Sequence, residues 1–275
     1  MLAVCSSCDS AMAGDDHADP LRHFDNWYAA MPASLRRDEI VQRHLGLPAT
    51  VPSSSLLPWE GIAEVVQLPW LPVPATLVDL ACGRGGYGLE VAGRAGAALI
   101  GIDFSSEAIR QAGRYAASLG RDARFVMADI AATGLPDSSM DGVMCIDAIQ
   151  FVADTAAVFA EVRRILRPGG RVVVTAWEAV DRDGDALPDR SGGVDCAAWF
   201  DAAGFSDISV VERPAWFQTE QALWAEAVVL DATGDDALAS LRDEAVTMLP
   251  LVRLTRRVLG SATAPGYERR TNRPH

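Results

Sequence analysis

A glycine-rich turn and the acid that follows it could together bind a nucleoside. The turn, Cys82–Gly88, follows a short apolar strand and holds four glycines, while Asp103 ends the next apolar strand, 18 residues after Gly85. Glycine tolerates positive φ and lets the backbone approach a ligand closely, and the helix after the turn would direct its first N–H groups toward that ligand. An acid at the end of the second strand can accept hydrogen bonds from ribose hydroxyls. The alternative is a tight turn whose glycines serve packing alone, but the acid at this distance favours a cofactor site.

Three other acids fall within or after strands of the same region. Asp79 lies inside the first strand, four residues before Gly83. Asp129 follows the third strand, where its carboxylate and the Ile130 amide could contact the edge of an adenine, and Asp147 ends the fourth strand. The glycine turn alone does not distinguish a nicotinamide enzyme from an adenosylmethionine enzyme, because both use an acid after the second strand.

Apolar strands alternate with helical patterns through the middle of the chain. The spacing predicts strands at 77–81, 97–102, 124–127, 142–146, 171–176 and 207–213. It predicts helices at 89–95, 108–119, 155–166 and 194–203. Arg167–Gly170 is expected to end the third of these helices sharply. Strands that alternate with helices imply a parallel sheet with right-handed crossovers.

The segments on either side of this alternating region have different patterns. We expect a disordered segment at 1–22, a helical cap at 23–74, the core at 75–213 and a helical insertion at 214–256 that caps the substrate site. Residues 257–264 could form a last strand, and 265–275 are expected to be a tail.

The motifs of the core resemble those of the class I S-adenosylmethionine-dependent methyltransferases. The resemblance is greatest to the subgroup that acts on small molecules, which includes enzymes of ubiquinone, menaquinone and natural-product pathways. The residues that carry it are Val78–Gly85, Gly101–Ser105, Ala128–Asp129, Leu135–Asp137, Asp141 and Leu166–Gly170. Together with the strand pattern, it predicts an α/β fold, a doubly wound, mostly parallel, seven-stranded Rossmann-like sheet with a helical cap.

The resemblance implies that one group of residues would surround the methionine part of S-adenosyl-L-methionine. Asp79 and the backbone from Ala81 through Gly83 to Gly85 would lie around it. Asp147 would close the fourth strand beside the same part of the cofactor. The alternative for Asp147 is a helix N-cap.

A second group would hold the nucleoside part. Asp103 would bind both ribose hydroxyls, and Phe104 would lie against the adenine. Asp129 would accept a hydrogen bond from the adenine amino group, and the Ile130 amide would meet the ring.

The segment after the fourth strand departs from the family. Many relatives carry a histidine or a histidine pair there, whereas this chain has Gln150–Phe151. Gln150 can hydrogen-bond a substrate but cannot act as a general base. His44 in the cap could face the site or be a surface residue, and the other histidines are His17, His23 and His275. The sequence therefore identifies no catalytic residue.

Large aromatic side chains are concentrated in the two pieces outside the core motifs. One hypothesis is that a subset lines an apolar pocket for a ring or prenyl-like substrate, and the alternative is that they form the core of the cap. They are Trp27, Tyr28, Trp59, Trp70, Trp177, Trp199, Trp216, Phe217 and Trp224.

Composition limits the classes of partner. The net charge of −13 argues against a nucleic-acid backbone as the main partner. No apolar run approaches the ~18 residues of a membrane span, and the start lacks the basic and apolar regions of a signal peptide. Five scattered cysteines are typical of a reducing cytoplasm. Cys5 and Cys8 have C-x-x-C spacing but lack a second ligand pair, so no metal site is predicted.

We therefore predict a cytoplasmic enzyme that transfers a methyl group from S-adenosyl-L-methionine to carbon, nitrogen or oxygen of a small organic molecule, in secondary metabolism. The first alternative is an RNA or protein methyltransferase, which the net charge disfavours. The second is a cyclase or scaffold that binds the cofactor without methyl transfer. The third is a nicotinamide oxidoreductase.

Overall fold

A seven-stranded sheet organises the part of the chain that the computed structural model describes, residues 20–67, 71, 74–181, 187 and 193–266. In chain order the strands are β1 (Ala75–Leu80), β2 (Ala97–Asp103), β3 (Ala123–Met127), β4 (Met140–Ile146), β5 (Leu166–Ala179), β6 (Ser206–Glu212) and β7 (Thr255–Thr263). They lie in the order β3-β2-β1-β4-β5-β7-β6. Strands β1 to β5 pair in parallel, and β7 runs antiparallel to both of its neighbours. The predicted α/β, doubly wound, mostly parallel sheet is confirmed.

Nine α-helices accompany the sheet in the described ranges. They are α1 (Pro20–Ala30), α2 (Leu35–Leu45), α3 (Trp59–Gln67), α4 (Gly86–Ala95), α5 (Ser106–Ser118), α6 (Thr155–Ile165), α7 (Cys196–Ala202), α8 (Pro214–Ala227) and α9 (Asp236–Met248). Single 3-10 turns lie at Met31–Ala33, Ile149–Phe151 and Val252–Leu254. None of these helices is long and apolar enough to cross a membrane.

Local sequence explains where the helices of the core begin. The Ser105 hydroxyl accepts a hydrogen bond from the Ala108 N–H and so caps α5, and Asp154 caps α6 in the same way through Ala157. Gly85 precedes α4 with a left-handed φ of 78°. These caps satisfy N–H groups that have no partner inside the helix.

Two apolar layers cover the two faces of the sheet. One includes Leu77 and Met144 with residues of α2, α3, α4, α8 and α9. The other includes Val78 and Val143 with residues of α6 and α7. Successive strand residues point to opposite faces, so each parallel strand is apolar on both sides.

The Arg167–Gly170 segment differs from the prediction. Helix α6 does end at Ile165, but β5 begins at once with Leu166 instead of Arg171. Two hydrogen bonds explain the early start: the Gly169 N–H donates to the Ala264 oxygen and the Ala264 N–H donates to the Gly170 oxygen, both at 2.8 Å. Pairing with the end of β7 therefore holds the Pro-Gly-Gly stretch extended.

The region after β6 consists of two helices followed by a strand. Helices α8 and α9 are separate because the chain turns at Gly234, where φ is 78°, and Asp235 caps α9. Strand β7 then inserts between β5 and β6. It covers Thr255–Thr263, where the sequence suggested a last strand at 257–264. Of the segment 1–22 that was expected to be disordered, residues 1–19 lie outside the described residues, whereas 20–22 form the first turn of α1, so that part of the prediction is wrong. Residues 267–275 of the expected tail also lie outside the described residues.

Candidate functional site

The strand order reverses direction between β1 and β4. Beyond β1 the sheet continues to β2 and β3, and beyond β4 it continues to β5. In open α/β sheets, such a switch point leaves a crevice outside the carboxyl ends of the strands, where ligands bind. The turn after β1, the acid at the end of β2 and the segment after β4 all lie at this edge.

The glycine turn is held in an unusual backbone conformation beneath the N-terminal helices. Ala81, Gly83 and Gly85 all have positive φ, of 54°, 51° and 78°. A Cβ atom added to Gly83 would collide with the Ser54 Oγ and lie 2.9 Å from the Tyr28 hydroxyl. The turn therefore needs glycine at position 83 because another part of the chain approaches its backbone closely.

Asp103 is bound to the glycine turn by its carboxylate. Its Oδ2 accepts from the Gly83 N–H and its Oδ1 from the Ser105 N–H, each at 2.9 Å. Burial raises the pKa of Asp103 above its usual value, and the two hydrogen bonds oppose that rise. Each oxygen keeps a further acceptor position, so the carboxylate can still receive two hydroxyl groups.

Asp79 is buried near Asp103 and has no partner in the described part of the chain. Only 3% of its surface is exposed, and no described residue donates a hydrogen bond or an ion pair to it. Burial raises the pKa of Asp79 well above the usual value, and repulsion from Asp103 raises it further. A Cβ atom on Gly88 would lie 2.5 Å from its Oδ2. A buried carboxylate of this kind is stabilised by a cation or by hydrogen-bond donors.

The residues expected at the adenine lie around the ends of β2 and β3. The Ala128 N–H donates to the main-chain oxygen of Asp103, and this hydrogen bond joins the ends of β2 and β3. Asp129 is exposed, and its Oδ1 accepts from the Ala131 N–H at 2.9 Å. The Ile130 side chain is buried, and no described residue accepts a hydrogen bond from its N–H. Phe104 is half-buried beside these groups.

Asp147 has a different environment from the one expected. Its carboxylate accepts from the Ser55 hydroxyl, the Leu56 N–H and the Thr175 hydroxyl, and it pairs with Arg257. These four donors occupy the acceptor positions of the carboxylate. The side chain is therefore committed to the protein and is not available to the cofactor. The N-cap alternative is wrong, because Asp154 caps the helix that follows.

Arg257 of β7 joins Asp147 to the insertion, and sequence patterns did not reveal it. Its guanidinium donates to Asp147 at 2.7 Å and to Glu220 of α8 at 3.1 Å. It lies 3.9 Å from the centre of the Trp177 ring, whose Nε1 also donates to Glu220. Burial disfavours its charge, but the two carboxylates keep the pKa of Arg257 above its usual value.

Helix α1 lies across the end of the site that contains Asp103 and Phe104. Asp25 accepts hydrogen bonds from the Ser105 hydroxyl and the Glu107 N–H at the start of α5. The Phe24 ring packs edge-to-face on Phe104, with ring centres 5.4 Å apart. No motif marked these contacts in the sequence, because they join residues about eighty positions apart.

The aromatic residues of the two outer pieces divide between core and site. Trp216 and Trp224 are completely buried in the apolar layer, and their Nε1 atoms donate to Glu64 and Glu220. Trp199 packs on Phe159 in the opposite layer. For these three residues the core alternative is correct. Trp70 lies outside the described residues.

Of the other expected aromatics, some lie near the edge of the sheet and some are partly buried against the apolar layer. Tyr28 lies over the glycine turn, beside Trp27, and Trp177 lies beside Arg257. Trp59 stacks under Arg94, and Phe217 packs against the apolar layer.

Neither described histidine lies after β4. The His44 ring is 2.7 Å from Glu226, a residue of α8, which supports the surface interpretation of His44. His23 contacts Phe24 in α1. His17 and His275 lie outside the described residues, as do Cys5 and Cys8. The described residues contain no cluster that could hold a metal ion.

Comparisons with known proteins agree with this geometry. Residues 78–174 match the family model described as a methyltransferase domain. The chain is 36% identical over 112 residues to demethylmenaquinone methyltransferase of Thermus thermophilus, covering 40% of this chain and 51% of that protein. It is 33% identical over 117 residues to a sterol 24-C-methyltransferase of Gibberella zeae, covering 42% and 31%. The chain thus spans from a third to half of these relatives' lengths.

Solved structures show the same fold. A phosphoethanolamine N-methyltransferase of Haemonchus contortus, in complex with S-adenosyl-L-methionine, superposes with a TM-score of 0.69 at 18% identity, over 88% of this chain and 60% of that one. A geranyl diphosphate C-methyltransferase of Streptomyces coelicolor gives 0.65 at 19% identity, over 92% and 99%. The sheet, the glycine turn and the family match agree: residues 78–174 match the model of a methyltransferase domain, and the chain has the fold of these solved methyltransferases.

Proposed function

We propose that the protein transfers a methyl group from S-adenosyl-L-methionine to a small organic molecule. The observation that carries the proposal is the pair of buried carboxylates, Asp79 and Asp103, at the switch point beside the glycine turn. Asp79 lacks a partner among the described residues, and this cofactor carries an ammonium group and two ribose hydroxyls. A cationic, hydroxyl-bearing ligand therefore fits the pair.

The other site residues support the same ligand. The backbone from Ala81 through Gly83 to Gly85 would lie along the methionine part. Asp103 would receive the ribose hydroxyls, with Phe104 against the adenine. We omit the Asp147 side chain from this set because its acceptor positions are occupied.

The adenine edge would be held at the end of β3. Asp129 would accept from the amino group, and the Ile130 N–H, which has no described acceptor, would donate to the ring. Helix α1 packs on Phe104 through the Phe24 ring, so the adenine would bind beside α1.

The bound cofactor supplies a methyl group on a sulfonium, and the neutral thioether that remains is a good leaving group. The protein then has to align the nucleophile with the methyl carbon and sulfur, and positioning of this kind can lower a barrier by up to about 7–11 kcal/mol. Helix α1 and the Ser53–Leu56 loop cover the glycine turn and would exclude water. No histidine of the described residues lies after β4, so the proton of the nucleophile would leave to water.

Small-molecule acceptors suit the charge and the cap. With a net charge of −13, the protein would repel a nucleic-acid backbone. The relatives named above are methyltransferases of sterols and demethylmenaquinone. We propose that 23–74 and 214–256 form the acceptor pocket over the core. We further propose a cytoplasmic location, since Cys82, Cys145 and Cys196 are free and buried.

Titration calorimetry with S-adenosyl-L-methionine and S-adenosylhomocysteine tests the cofactor assignment. The wild-type protein should bind both, and Asp103→Ala should lose most of that affinity. Asp201→Ala, a change on the exposed surface of α7, serves as the control and should bind normally. A folded wild-type protein that bound neither compound would contradict the proposal.

Turnover distinguishes a methyltransferase from a cyclase or scaffold of the same fold. The protein is incubated with S-adenosyl-L-methionine and a small-molecule extract, and S-adenosylhomocysteine is measured. Methyl transfer predicts product that requires both the extract and an intact Asp103. Binding without product would favour the cyclase or scaffold.

A further inference from the structure

The side-chain amide of Gln150 has one atom that makes a hydrogen bond and one that has no partner among the described residues. Its Nε2 donates to the main-chain oxygen of Asp147 at 2.7 Å. Because that oxygen can only accept, the amide nitrogen must face it, and the orientation of the amide is thereby defined. The remaining atom, Oε1, is buried, and no described residue donates a hydrogen bond to it.

This atom differs from the other side-chain nitrogen and oxygen atoms that are fully closed off from solvent and lack a partner among the described residues. Those atoms are the Nε atoms of Arg171, Arg256 and Arg257. Each of those guanidinium groups still donates through another nitrogen. The Oε1 atom is the only acceptor of the Gln150 side chain, so it carries the full cost of burial without a hydrogen bond.

Gln150 occupies the edge of the proposed site. It lies in the single turn Ile149–Phe151, directly after β4 at the switch point. The Ser53–Leu56 loop of the N-terminal cap contacts Asp147 beside it. Phe151 lies on its other side. This residue is 49% exposed, and the centre of its ring is 6.2 Å from that of Phe24. A substrate that enters beneath the cap would meet this turn, and a single turn can shift to admit it.

We propose that Oε1 of Gln150 accepts a hydrogen bond from the methyl acceptor and so positions the atom to be methylated. The inference rests on the proposed function. The substrate class is a small molecule with an amine N–H or a hydroxyl at, or next to, the methylated atom. A molecule without such a donor leaves Oε1 unpaired and is rejected, which is the stronger form of discrimination in polar sites.

Gln150 is a positioning residue because a neutral amide oxygen does not take up the proton. In the transfer step, an electron pair of the acceptor atom forms the bond to the methyl carbon. The bond between that carbon and sulfur breaks, and its electron pair stays on sulfur. The proton of the acceptor then leaves to water.

Matched probe pairs test the inference on the protein loaded with S-adenosylhomocysteine. The pairs are hydroquinone with 1,4-dimethoxybenzene, aniline with N,N-dimethylaniline, and geraniol with its methyl ether. Affinities are measured by ligand-observed NMR titration for the wild type, Gln150→Met and Asp201→Ala. Asp201 is the control, because it lies on the exposed surface of α7, outside the two segments proposed to form the acceptor pocket.

In the wild type and in Asp201→Ala, the donor member of at least one pair should bind about fivefold more tightly than its methylated partner. Gln150→Met should remove that preference and leave the affinity for S-adenosylhomocysteine unchanged. If Gln150 had only a structural role, its replacement would weaken the binding of both members of a pair equally. The ratio of the two affinities within a pair therefore reports the hydrogen bond to Oε1 alone. If Gln150→Met does not fold, Gln150→Leu replaces it.

Equal affinities within every pair, no binding of any probe, or a preference that survives in Gln150→Met would overturn the inference. These outcomes leave the proposed function intact if S-adenosylhomocysteine binds the wild type. Failure of the wild type to bind S-adenosylhomocysteine would instead overturn the proposed function itself, and with it the inference.

Discussion

Arg257 of β7 donates a hydrogen bond to the Asp147 carboxylate at 2.7 Å, and both side chains are closed off from solvent. This hydrogen bond joins β7, the last strand of the chain, to the end of β4, next to the switch point. Through Glu220 the same guanidinium also holds α8 against the sheet. The edge of the sheet at the end of β4 is therefore built around a buried ionic network.

Replacing Arg257 with methionine should destabilise the protein by about 3–5 kcal/mol, because it leaves Asp147 and Glu220 buried without their cation. Urea unfolding followed by circular dichroism measures the change. Arg242→Met removes an exposed pair with Asp243 and should cost less than about 1 kcal/mol. Similar losses in the two variants would contradict the importance of the buried network.

Asp79→Asn should stabilise the free protein at neutral pH, by about 1–3 kcal/mol, since it removes a buried charge without a partner. The same change should weaken binding of S-adenosyl-L-methionine. Burial raises the pKa of Asp79 in the folded state, so the folded state binds the proton more tightly than the unfolded chain. The contribution of this group to stability is therefore full at low pH and falls as the pH rises from the unfolded pKa through the folded pKa.

Urea unfolding at a series of pH values tests that sign. The free energy of unfolding of the wild type should decline, relative to that of Asp79→Asn, as the pH rises above about 4. If the difference in free energy of unfolding between the two proteins were constant across this range, the pKa of Asp79 would not be raised in the folded state.

Gly83→Ala should abolish cofactor binding and destabilise the fold by more than the ~1–2 kcal/mol that positive φ alone costs. The added methyl group would collide with Ser54 and approach Tyr28. Gly120→Ala is a matched control: Gly120 has a φ of 61° but nothing within 4 Å of its added Cβ. The two variants are compared by thermal unfolding and by calorimetry with S-adenosylhomocysteine. Equal effects would mean that the cap does not press on the glycine turn.

Asp25→Ala should loosen α1 from the start of α5, because Asp25 accepts from the Ser105 hydroxyl and the Glu107 N–H. We expect S-adenosylhomocysteine to dissociate several-fold faster, in line with about 1 kcal/mol per hydrogen bond. Stopped-flow fluorescence measures the rate. A rate equal to that of the wild type would show that α1 does not retain the cofactor.

The core of the fold was predictable because its determinants are local. The alternation of apolar strands with helices, the glycines of the turn and the caps at Ser105 and Asp154 all act within a few residues. The extended Pro-Gly-Gly stretch was not predictable, since hydrogen bonds to Ala264, nearly a hundred residues away, decide it.

The sequence by itself determined the order of the strands and helices, the glycine turn and the positions of Asp79 and Asp103, because spacing along one chain segment carries that information. Only the tertiary structure decided that Asp147 is saturated by Arg257 and the cap, and that Oε1 of Gln150 has no donor among the residues that the structure describes. Both outcomes depend on contacts between distant segments, and no local pattern records which donor finally reaches a buried oxygen.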